Sequence, residues 1–175
     1  MGRLIILIGA SGSGKTAVAE LLEQRPPWIG HTHYFDSIGI PSAEEMESCG
    51  GGEAWQLWAT EEWVRRIGRL KSPLELLEGQ TRPSFLQPEL ANHPDLDSTI
   101  ILLDCRPAVR THRLAELREQ AELANPTMEN WAAYLRGQAD ALGLPVIDTS
   151  DLNLDGVAVA VESAAGTGNL SGDAL

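Results

Sequence analysis

The sequence predicts a three-layer α/β fold, in which about five parallel strands form one sheet with helices on both faces. Short apolar runs alternate five times with segments of helical spacing, which is typical of a parallel sheet. The first run, residues 3–8, is aliphatic after Arg3, as in a strand that is buried on both faces. The chain has 175 residues, enough for one domain with a sizeable core. We therefore expect a single domain over residues 1–162.

A glycine-rich segment follows this first strand and leads into a helix. Residues 9–16 read GASGSGKT and match the pattern G-x-x-x-x-G-K-[ST]. Glycines allow backbone N–H groups to converge on an anion, and the start of a helix adds positive charge behind them. The pattern predicts a P-loop NTPase fold that binds ATP, although a glycine- and serine-rich turn can match by chance. The residues expected to hold the phosphates are Gly9, Ser11, Gly12, Ser13, Gly14, Lys15 and Thr16.

The last two residues of this loop have separate predicted roles. Lys15 is expected to reach the β- and γ-phosphates of ATP. Thr16 is expected to place its hydroxyl on Mg²⁺, which neutralises the phosphate charge that the glycines and the lysine leave.

The other strands and helices follow from apolar periodicity and from residues that begin or end helices. Strands are predicted at 31–36, 74–79, 99–104 and 145–148. Helices are predicted at 16–22, from the capping sequence at Ser42 to Gly50, at 53–70, at 107–123, at 125–142 and from Asp155 onward. The segment 82–94 contains three prolines and predicts a loop with at most one helical turn. Residues 163–175 are small and polar, which indicates a flexible tail.

Charge and cysteine content argue against several classes of protein. The formal net charge of −12, with only 13 Lys and Arg, argues against a nucleic-acid partner. Cys49 and Cys105 lie far apart, which favours neither a disulfide framework nor a zinc site and fits the reducing cytoplasm. The first apolar run is too short for a signal peptide or a membrane span. We expect a cytoplasmic monomer or homodimer that acts on a small molecule.

A carboxylate and an arginine follow the third predicted strand, in the segment Glu78-Gly79-Gln80-Thr81-Arg82. This segment resembles the adenylate and nucleoside monophosphate kinase group, in which the same strand ends D-G-F-P-R. Here Glu replaces Asp, and the proline follows Arg82 instead of preceding it. The resemblance implies that Glu78 orients water on Mg²⁺ and that Arg82 contacts a transferred or acceptor phosphate. An ordinary strand end with a surface arginine is the alternative.

A second part of this resemblance follows Asp104, which ends the fourth predicted strand. Adenylate kinase-like chains carry an arginine–leucine pair nine residues beyond that acid and another arginine one turn later, at the base of a mobile lid. Arg113-Leu114 lies at this offset, and Arg118 comes one residue later than the second arginine would. The resemblance implies that both arginines stabilise the transferred phosphoryl group and that 113–130 forms a short lid. Solvated arginines balanced by nearby glutamates are the alternative.

Asp36 ends the second predicted strand, where shikimate kinase-like enzymes hold and activate the acceptor hydroxyl. A weaker similarity to gluconate kinases lies in Asp36, the pair Glu45-Met46, a glycine and a tryptophan-bearing helix. Residues 40–72 are therefore expected to form an inserted helical acceptor region, in which the tryptophans contact a sugar or a planar base, or simply fill the core. Monophosphate kinases need an arginine here to bind the acceptor phosphate, but residues 26–64 contain no Lys or Arg.

The loop after the last strand often contacts the base in P-loop kinases, which makes Thr149 a candidate for that contact. Together these residues predict an ATP-dependent kinase that transfers the γ-phosphoryl group to a metabolite hydroxyl or phosphate with Mg²⁺. The alternative is a P-loop ATPase or nucleotide-binding switch that acts through a protein partner, with Gln80 positioning water. A GTP-specific switch would usually carry N-K-x-D, which is absent.

Overall fold

The computed structural model describes residues 2–167 and contains one parallel sheet of five strands. The strands are β1 (Gly2–Ile8), β2 (Thr32–Tyr34), β3 (Leu74–Glu78), β4 (Leu96–Asp104) and β5 (Val146–Asp148). Their order across the sheet is β2-β3-β1-β4-β5, and every neighbouring pair runs parallel. The predicted five-stranded parallel sheet is confirmed, and β1 lies at its centre.

Seven α-helices lie within residues 2–167. They are α1 (Lys15–Glu23), α2 (Ala43–Ser48), α3 (Gly51–Gly68), α4 (Pro83–Ala91), α5 (Pro107–His112), α6 (Pro126–Leu142) and α7 (Leu154–Ala164). A 3₁₀ turn, Phe35–Ile38, follows β2, and the π-helical turn Arg113–Leu117 and the 3₁₀ turn Ala121–Leu123 lie between α5 and α6. No helix in this described part of the chain has both the length and the apolar character needed to cross a bilayer.

Strand β1 is buried on both faces because its side chains alternate between two apolar layers. One layer joins Ile5 and Leu7 to side chains of α1 and α7. The other joins Leu4, Ile6 and Ile8 to side chains of α3, α4 and α6. The continuous apolar run therefore reflects a central strand with helices on both sides.

Several helices begin or end at the capping residues that the sequence predicts. At the start of α2, Ser42 Oγ accepts a hydrogen bond from the Glu45 N–H at 3.3 Å, and the Glu45 carboxylate accepts one from the Ser42 N–H at 2.9 Å. Asn125 Oδ1 accepts a hydrogen bond from the backbone at the start of α6. Gly143 ends α6 in the left-handed conformation, with φ +63°.

The segment after β3 differs from its prediction, because the proline-rich stretch forms the nine-residue helix α4. Pro83 stands at the first helical position, where the missing N–H would have no helical partner. Pro88 removes a backbone hydrogen bond inside the helix, but Leu86 is fully buried in the layer with α3 and α6. Burial of the apolar face therefore outweighs the proline in this helix.

The helix predicted at 107–123 is also wrong in its length. α5 ends at His112, and the chain continues through a π-helical turn and then reaches Glu119, whose φ is +53°. This path leaves the α-helical register, so the side chains after His112 point in directions that helical spacing does not predict.

The C-terminal prediction needs two corrections. Asn153, not Asp155, caps α7, because Asn153 Oδ1 accepts the Gly156 N–H at 2.8 Å. The tail predicted from residue 163 begins later, since α7 continues to Ala164 and Thr167 is 1 % exposed. The remainder of the predicted tail, 168–175, lies outside the described residues.

Gly79 follows β3 at a position where no side chain fits. A Cβ atom there would lie 2.1 Å from Phe35 Cβ and 2.7 Å from Phe35 Cγ, and Phe35 is itself buried. The turn that carries Asp36 therefore packs directly on the backbone of Gly79.

We expect Gly79→Ala to lower the free energy of unfolding by about 1–3 kcal/mol, because the added methyl group must displace Phe35. The control Gly137→Ala adds a methyl group to exposed α6 with nothing within 4 Å. It should raise stability by roughly 0.5–1 kcal/mol. Urea unfolding followed by tryptophan fluorescence compares the two variants. Equal midpoints for Gly79→Ala and the wild type would contradict this contact.

Candidate active site

The loop of residues 9–16 joins β1 to α1 along a path that requires glycine. A Cβ atom on Gly9 would lie 2.4 Å from the Leu103 carbonyl oxygen and 2.6 Å from Ser13 Oγ. Gly14 immediately precedes α1 with a φ of +99°, which side chains disfavour. The first turn of α1 presents backbone N–H groups without helical partners, which is the arrangement that binds phosphate.

The side chains of Lys15, Thr16 and Glu78 meet at the carboxyl ends of β1 and β3. The strand register pairs Leu7 with Glu78 and so brings the end of β3 beside the loop. Thr16 Oγ1 donates a hydrogen bond to Glu78 Oε1 at 3.0 Å, and Lys15 Nζ lies 3.9 Å from the same oxygen. Lys15 and Glu78 are each only 6 % exposed.

Burial shifts the pKa of both charged groups toward their neutral forms. The pKa of Lys15 is lowered, chiefly by burial, while the charge of Glu78 opposes this shift. The pKa of Glu78 is raised, again chiefly by burial, while Lys15 and the hydrogen bond from Thr16 lower it. The charge of Asp36 raises both pKa values. A ligand that brings both anionic oxygens and a cation would therefore complete this pair.

A cleft of about 380 Å³, which we call the Lys15 cleft, opens beside these residues. Asp36, on the 3₁₀ turn after β2, and Arg118, after the π-helical turn, line it with Lys15, Thr16 and Glu78. The remaining lining residues are Ser11, Tyr34, Gly79, Gln80, Gln120 and Leu123. The structure thus brings together residues that are far apart in the sequence, at the carboxyl edge of the sheet.

The oxygen atoms at this site fit Mg²⁺. Within residues 2–167, no group of three or more His, Cys, Asp or Glu could hold a metal by itself. Mg²⁺ usually binds through one or two protein oxygens and completes its shell with phosphate oxygens and water. The Thr16 hydroxyl and the Glu78 carboxylate supply such oxygens directly beside the loop.

Two further polar residues of the Lys15 cleft, Tyr34 and Gln120, were not predicted from the sequence. Tyr34 lies two positions before Asp36, and its O–H donates a hydrogen bond to Glu23 Oε2 at 2.8 Å. Burial and this hydrogen bond raise the pKa of Tyr34. Strand alternation before Asp36 could have indicated Tyr34. Gln120 follows the left-handed Glu119, and no local pattern indicates where its side chain points.

A second cleft, the Arg113 cleft, has a volume of about 420 Å³ and shares Gly12, Gly14 and Thr16 with the phosphate-binding loop. Thr149, after β5, lies in this cleft, and its Oγ1 donates a hydrogen bond to the Ser13 carbonyl at 2.9 Å. Apolar side chains form much of the remaining wall: Ala17, Leu117, Leu152, Leu154 and Val157. A planar base with its phosphates on the loop would match this combination of apolar wall and hydroxyl.

Arg113 lines the Arg113 cleft and not the Lys15 cleft, and its predicted role at the transferred phosphoryl group stays a prediction. Its guanidinium donates to the Gly12 carbonyl at 3.2 Å, to Thr149 Oγ1 at 2.8 Å and to the Thr149 carbonyl at 2.7 Å. These contacts join the phosphate-binding loop to the segment after β5. Arg113 therefore positions the loop in this structure.

Arg82 also lies outside the Lys15 cleft, in contrast to its predicted contact with a phosphate. Its Nε donates to Gln56 Oε1 at 2.9 Å, and its NH1 pairs with Glu53 at 3.0 Å. The guanidinium carbon lies 5.2 Å, 5.3 Å and 5.7 Å from the ring centres of Phe85, Trp131 and Tyr134. Arg82 thus joins α3, α4 and α6, and a carboxylate already matches its charge.

Arg110 was not predicted to be a site residue, but its buried side chain packs against the phosphate-binding loop at Gly12. It is 2 % exposed and hydrogen-bonds to Asp104, to the Cys105 carbonyl and to Glu129. A Cβ atom on Gly12 would lie 3.0 Å from Arg110 Cγ, so the guanidinium side chain packs against the loop.

Comparison with known proteins places the chain by its fold. No protein-family model matches the sequence, and no curated protein is significantly similar to it. A gluconokinase from Sinorhizobium meliloti superposes with a TM-score of 0.63 at 16 % identity, over 97 % of this chain and 95 % of that one. The chain has a three-layer α/β P-loop fold.

Two further solved structures support this assignment. A shikimate kinase from Acinetobacter baumannii in complex with shikimate gives a TM-score of 0.63 at 14 % identity, over 97 % of this chain and 96 % of that one. The tunicamycin resistance protein of Deinococcus radiodurans gives 0.63 at 21 % identity, over 95 % and 96 %. The likeness to the nucleoside monophosphate kinase group stays a prediction.

The two cysteines should react very differently with thiol reagents. Cys105 is buried behind the loop, its Sγ lies 3.6 Å from the Gly12 carbonyl, and burial raises the pKa of its thiol. Because the thiolate is the reactive form, iodoacetamide should label exposed Cys49 at least roughly tenfold faster than Cys105 at neutral pH. Peptide mass spectrometry over time measures both rates. Equal rates in the folded protein would show that the loop does not cover Cys105.

Proposed function

We propose that this protein is an ATP-dependent kinase that transfers the γ-phosphoryl group to a hydroxyl group of a small molecule. The observation that carries this proposal is the Lys15 cleft, where Asp36 and Arg118 stand beside the buried Lys15–Glu78 pair. Simple nucleotide binding needs the loop alone, whereas transfer also needs an acid and a cation at the outermost phosphate. Three of the similar folds belong to a gluconokinase, a shikimate kinase and a sugar kinase, which supports the same reaction class.

ATP would lie across the loop, between the two clefts. Its phosphates would bind the backbone of residues 9–16 and Lys15, and its base would enter the Arg113 cleft beside Thr149. Mg²⁺ bound to the phosphates, with Thr16 and Glu78 nearby, would supply neutralisation of the developing charge. Arg113 would hold the phosphate-binding loop next to the segment after β5, because it donates hydrogen bonds to the Gly12 and Thr149 carbonyls.

Asp36 would act on the acceptor hydroxyl, and Arg118 would act on the transferred phosphoryl group. Asp36 is exposed in the Lys15 cleft, so its carboxylate can orient the acceptor hydroxyl and accept its proton. Arg118 lines the same cleft from the segment between α5 and α6, where it can stabilise charge on the transferred group. The segment 113–130 would serve as the short lid that excludes water, and 40–72 as the acceptor region.

Replacement of Lys15 tests whether the loop is catalytic. We expect Lys15→Ala to lower ATP turnover by about two orders of magnitude or more, because it removes several kcal/mol of charge stabilisation. The chain offers a matched control, since Lys71 is its only other lysine and lies among the residues near the amino ends of β1 and β3. ADP formation with a panel of hydroxyl compounds measures both variants. Turnover that survives Lys15→Ala would disprove the assignment.

Replacement of Asp36 separates transfer from nucleotide binding. We expect Asp36→Asn to lower kcat about 10²- to 10⁴-fold while the Kd for ATP changes little, because the acid acts on the acceptor. The control is Asp97→Asn. Asp97 lies at the amino end of β4, away from the Lys15 cleft, and pairs with Arg3 at 3.4 Å. Steady-state kinetics and calorimetric titration give the two constants. ATP hydrolysis without transfer in the wild type would instead favour a nucleotide-binding switch.

A further inference from the structure

A third cavity, of about 670 Å³, adjoins the Asp36 turn, and we call it the tryptophan pocket. The 3₁₀ turn carries Asp36 into the Lys15 cleft and leads directly into Gly39 and Ile40, which line the tryptophan pocket. The pocket is lined by Gly39, Ile40, Pro41, Glu45, Ser48, Cys49, Ala54, Trp55 and Trp58. Its wall therefore contains two indole rings and one carboxylate.

The tryptophan pocket and Asp36 are held together by contacts around the same turn. The ring of Phe35 meets the ring of Trp55 edge to face, with 5.9 Å between the ring centres. Trp63 Nε1 donates a hydrogen bond to the Phe35 carbonyl at 2.9 Å. Gln56, beside Trp55, donates to the Gln80 carbonyl at 2.7 Å, and Gln80 lines the Lys15 cleft. A molecule in the tryptophan pocket would thus lie next to the turn that carries Asp36, which these contacts join to α3.

The described residues that line the tryptophan pocket include no Lys or Arg, and the helices around it carry negative charge. Residues 26–64 contain no Lys or Arg. Over the same stretch, α2 and the start of α3 carry four glutamates: Glu44, Glu45, Glu47 and Glu53. Arg82, the residue before α4, contacts α3 through Glu53, which lies 3.0 Å from the Arg82 guanidinium. The rings of Phe85 and Trp131 lie against the same guanidinium. Arg65 and Arg66 each donate to Glu62 at 2.7 Å.

We propose that the phosphoryl acceptor is a ring-containing alcohol without negative charge, bound in the tryptophan pocket with its hydroxyl group at Asp36. In the tryptophan pocket, a carboxylate or phosphate on the acceptor would lose part of its hydration and lie near glutamates, with no Lys or Arg among the lining residues. A neutral ring loses little on leaving water and gains contact with Trp55 and exposed Trp58. This inference rests on the proposed kinase activity and specifies its acceptor class.

The transfer step balances with ATP as the only co-reactant. The acceptor oxygen forms a bond to the γ-phosphorus, and the bond from that phosphorus to the β–γ bridging oxygen breaks. ADP leaves with the bridging oxygen, and the hydroxyl proton passes to the Asp36 carboxylate. The products are ADP and the phosphate ester of the alcohol, and Asp36 then releases the proton to solvent.

Matched pairs of alcohols that differ only in one anionic group test this acceptor class. The pairs are adenosine 5′-carboxamide with its 5′-carboxylate, glucuronamide with glucuronate, and a carboxamide-bearing benzyl alcohol with its carboxylate analogue. Transfer of radiolabelled γ-phosphate is measured on each compound, with ADP formation measured in parallel. We expect kcat/KM to be at least roughly tenfold higher for the neutral member of a ring-containing pair.

The outcomes separate this inference from the proposed function. Equal or preferred transfer to the anionic members would overturn the acceptor class and leave the kinase assignment intact. ATP hydrolysis without transfer to any compound would overturn the kinase assignment, and the acceptor class with it.

A charge substitution gives an independent readout of the same inference. Glu53→Gln frees the Arg82 guanidinium and should raise kcat/KM for the anionic member relative to the neutral one by about fivefold or more. Glu47→Gln removes the same charge from exposed α2 and is the matched control. An unchanged ratio in Glu53→Gln would show that the paired arginine does not determine charge selection.

Discussion

The buried pair of Lys15 and Glu78 is the constraint on which the site depends. Two opposite charges are held 3.9 Å apart in surroundings that leave each 6 % exposed, so their mutual attraction must offset the loss of water. The hydrogen bond from Thr16 offsets part of this cost, and the pKa shifts of both groups show that part of it persists. Phosphate oxygens and a divalent cation would supply the missing counter-charges, so the free site is preorganised for such a ligand.

The order of the strands determines which groups reach this pair. Strand β3 lies between β2 and β1, so Asp36, Glu78 and Lys15 come from three adjacent strand ends. After β1, the chain forms β2 and β3 on one side of β1, and then β4 and β5 on the other side. The loop therefore lies at the point where strand order reverses, which is where ligands bind in open α/β sheets. The two clefts beside the loop, one polar and one largely apolar, suit the two ends of a transfer reaction.

The parts of the fold that the sequence predicts correctly depend on short-range chemistry. The loop at 9–16, the capping box at Ser42 and the glycine at 143 each act within a few residues, so local pattern suffices. The position of Arg118 could not be derived in this way, because a π-helical turn and a left-handed residue intervene after α5. Arg82 resembles a family motif but lies among aromatic rings, since its partners come from α3 and α6, far along the chain, as well as from the adjacent α4.

The tryptophan pocket and the phosphate-binding loop differ in the structural elements that form them. The phosphate-binding loop is set by backbone geometry and by the central strands, a fold that this chain shares with a gluconokinase at 16 % identity and a shikimate kinase at 14 % identity. The tryptophan pocket is built from the end of a 3₁₀ turn, the short helix α2 and the start of α3, all of which lie outside the sheet. In this chain those segments combine one exposed and one half-buried indole ring with glutamates and no basic residue. Under the proposed function, this scaffold would select against anionic acceptors without any change at the loop, because the residues that contact the acceptor would lie outside the phosphate-binding loop.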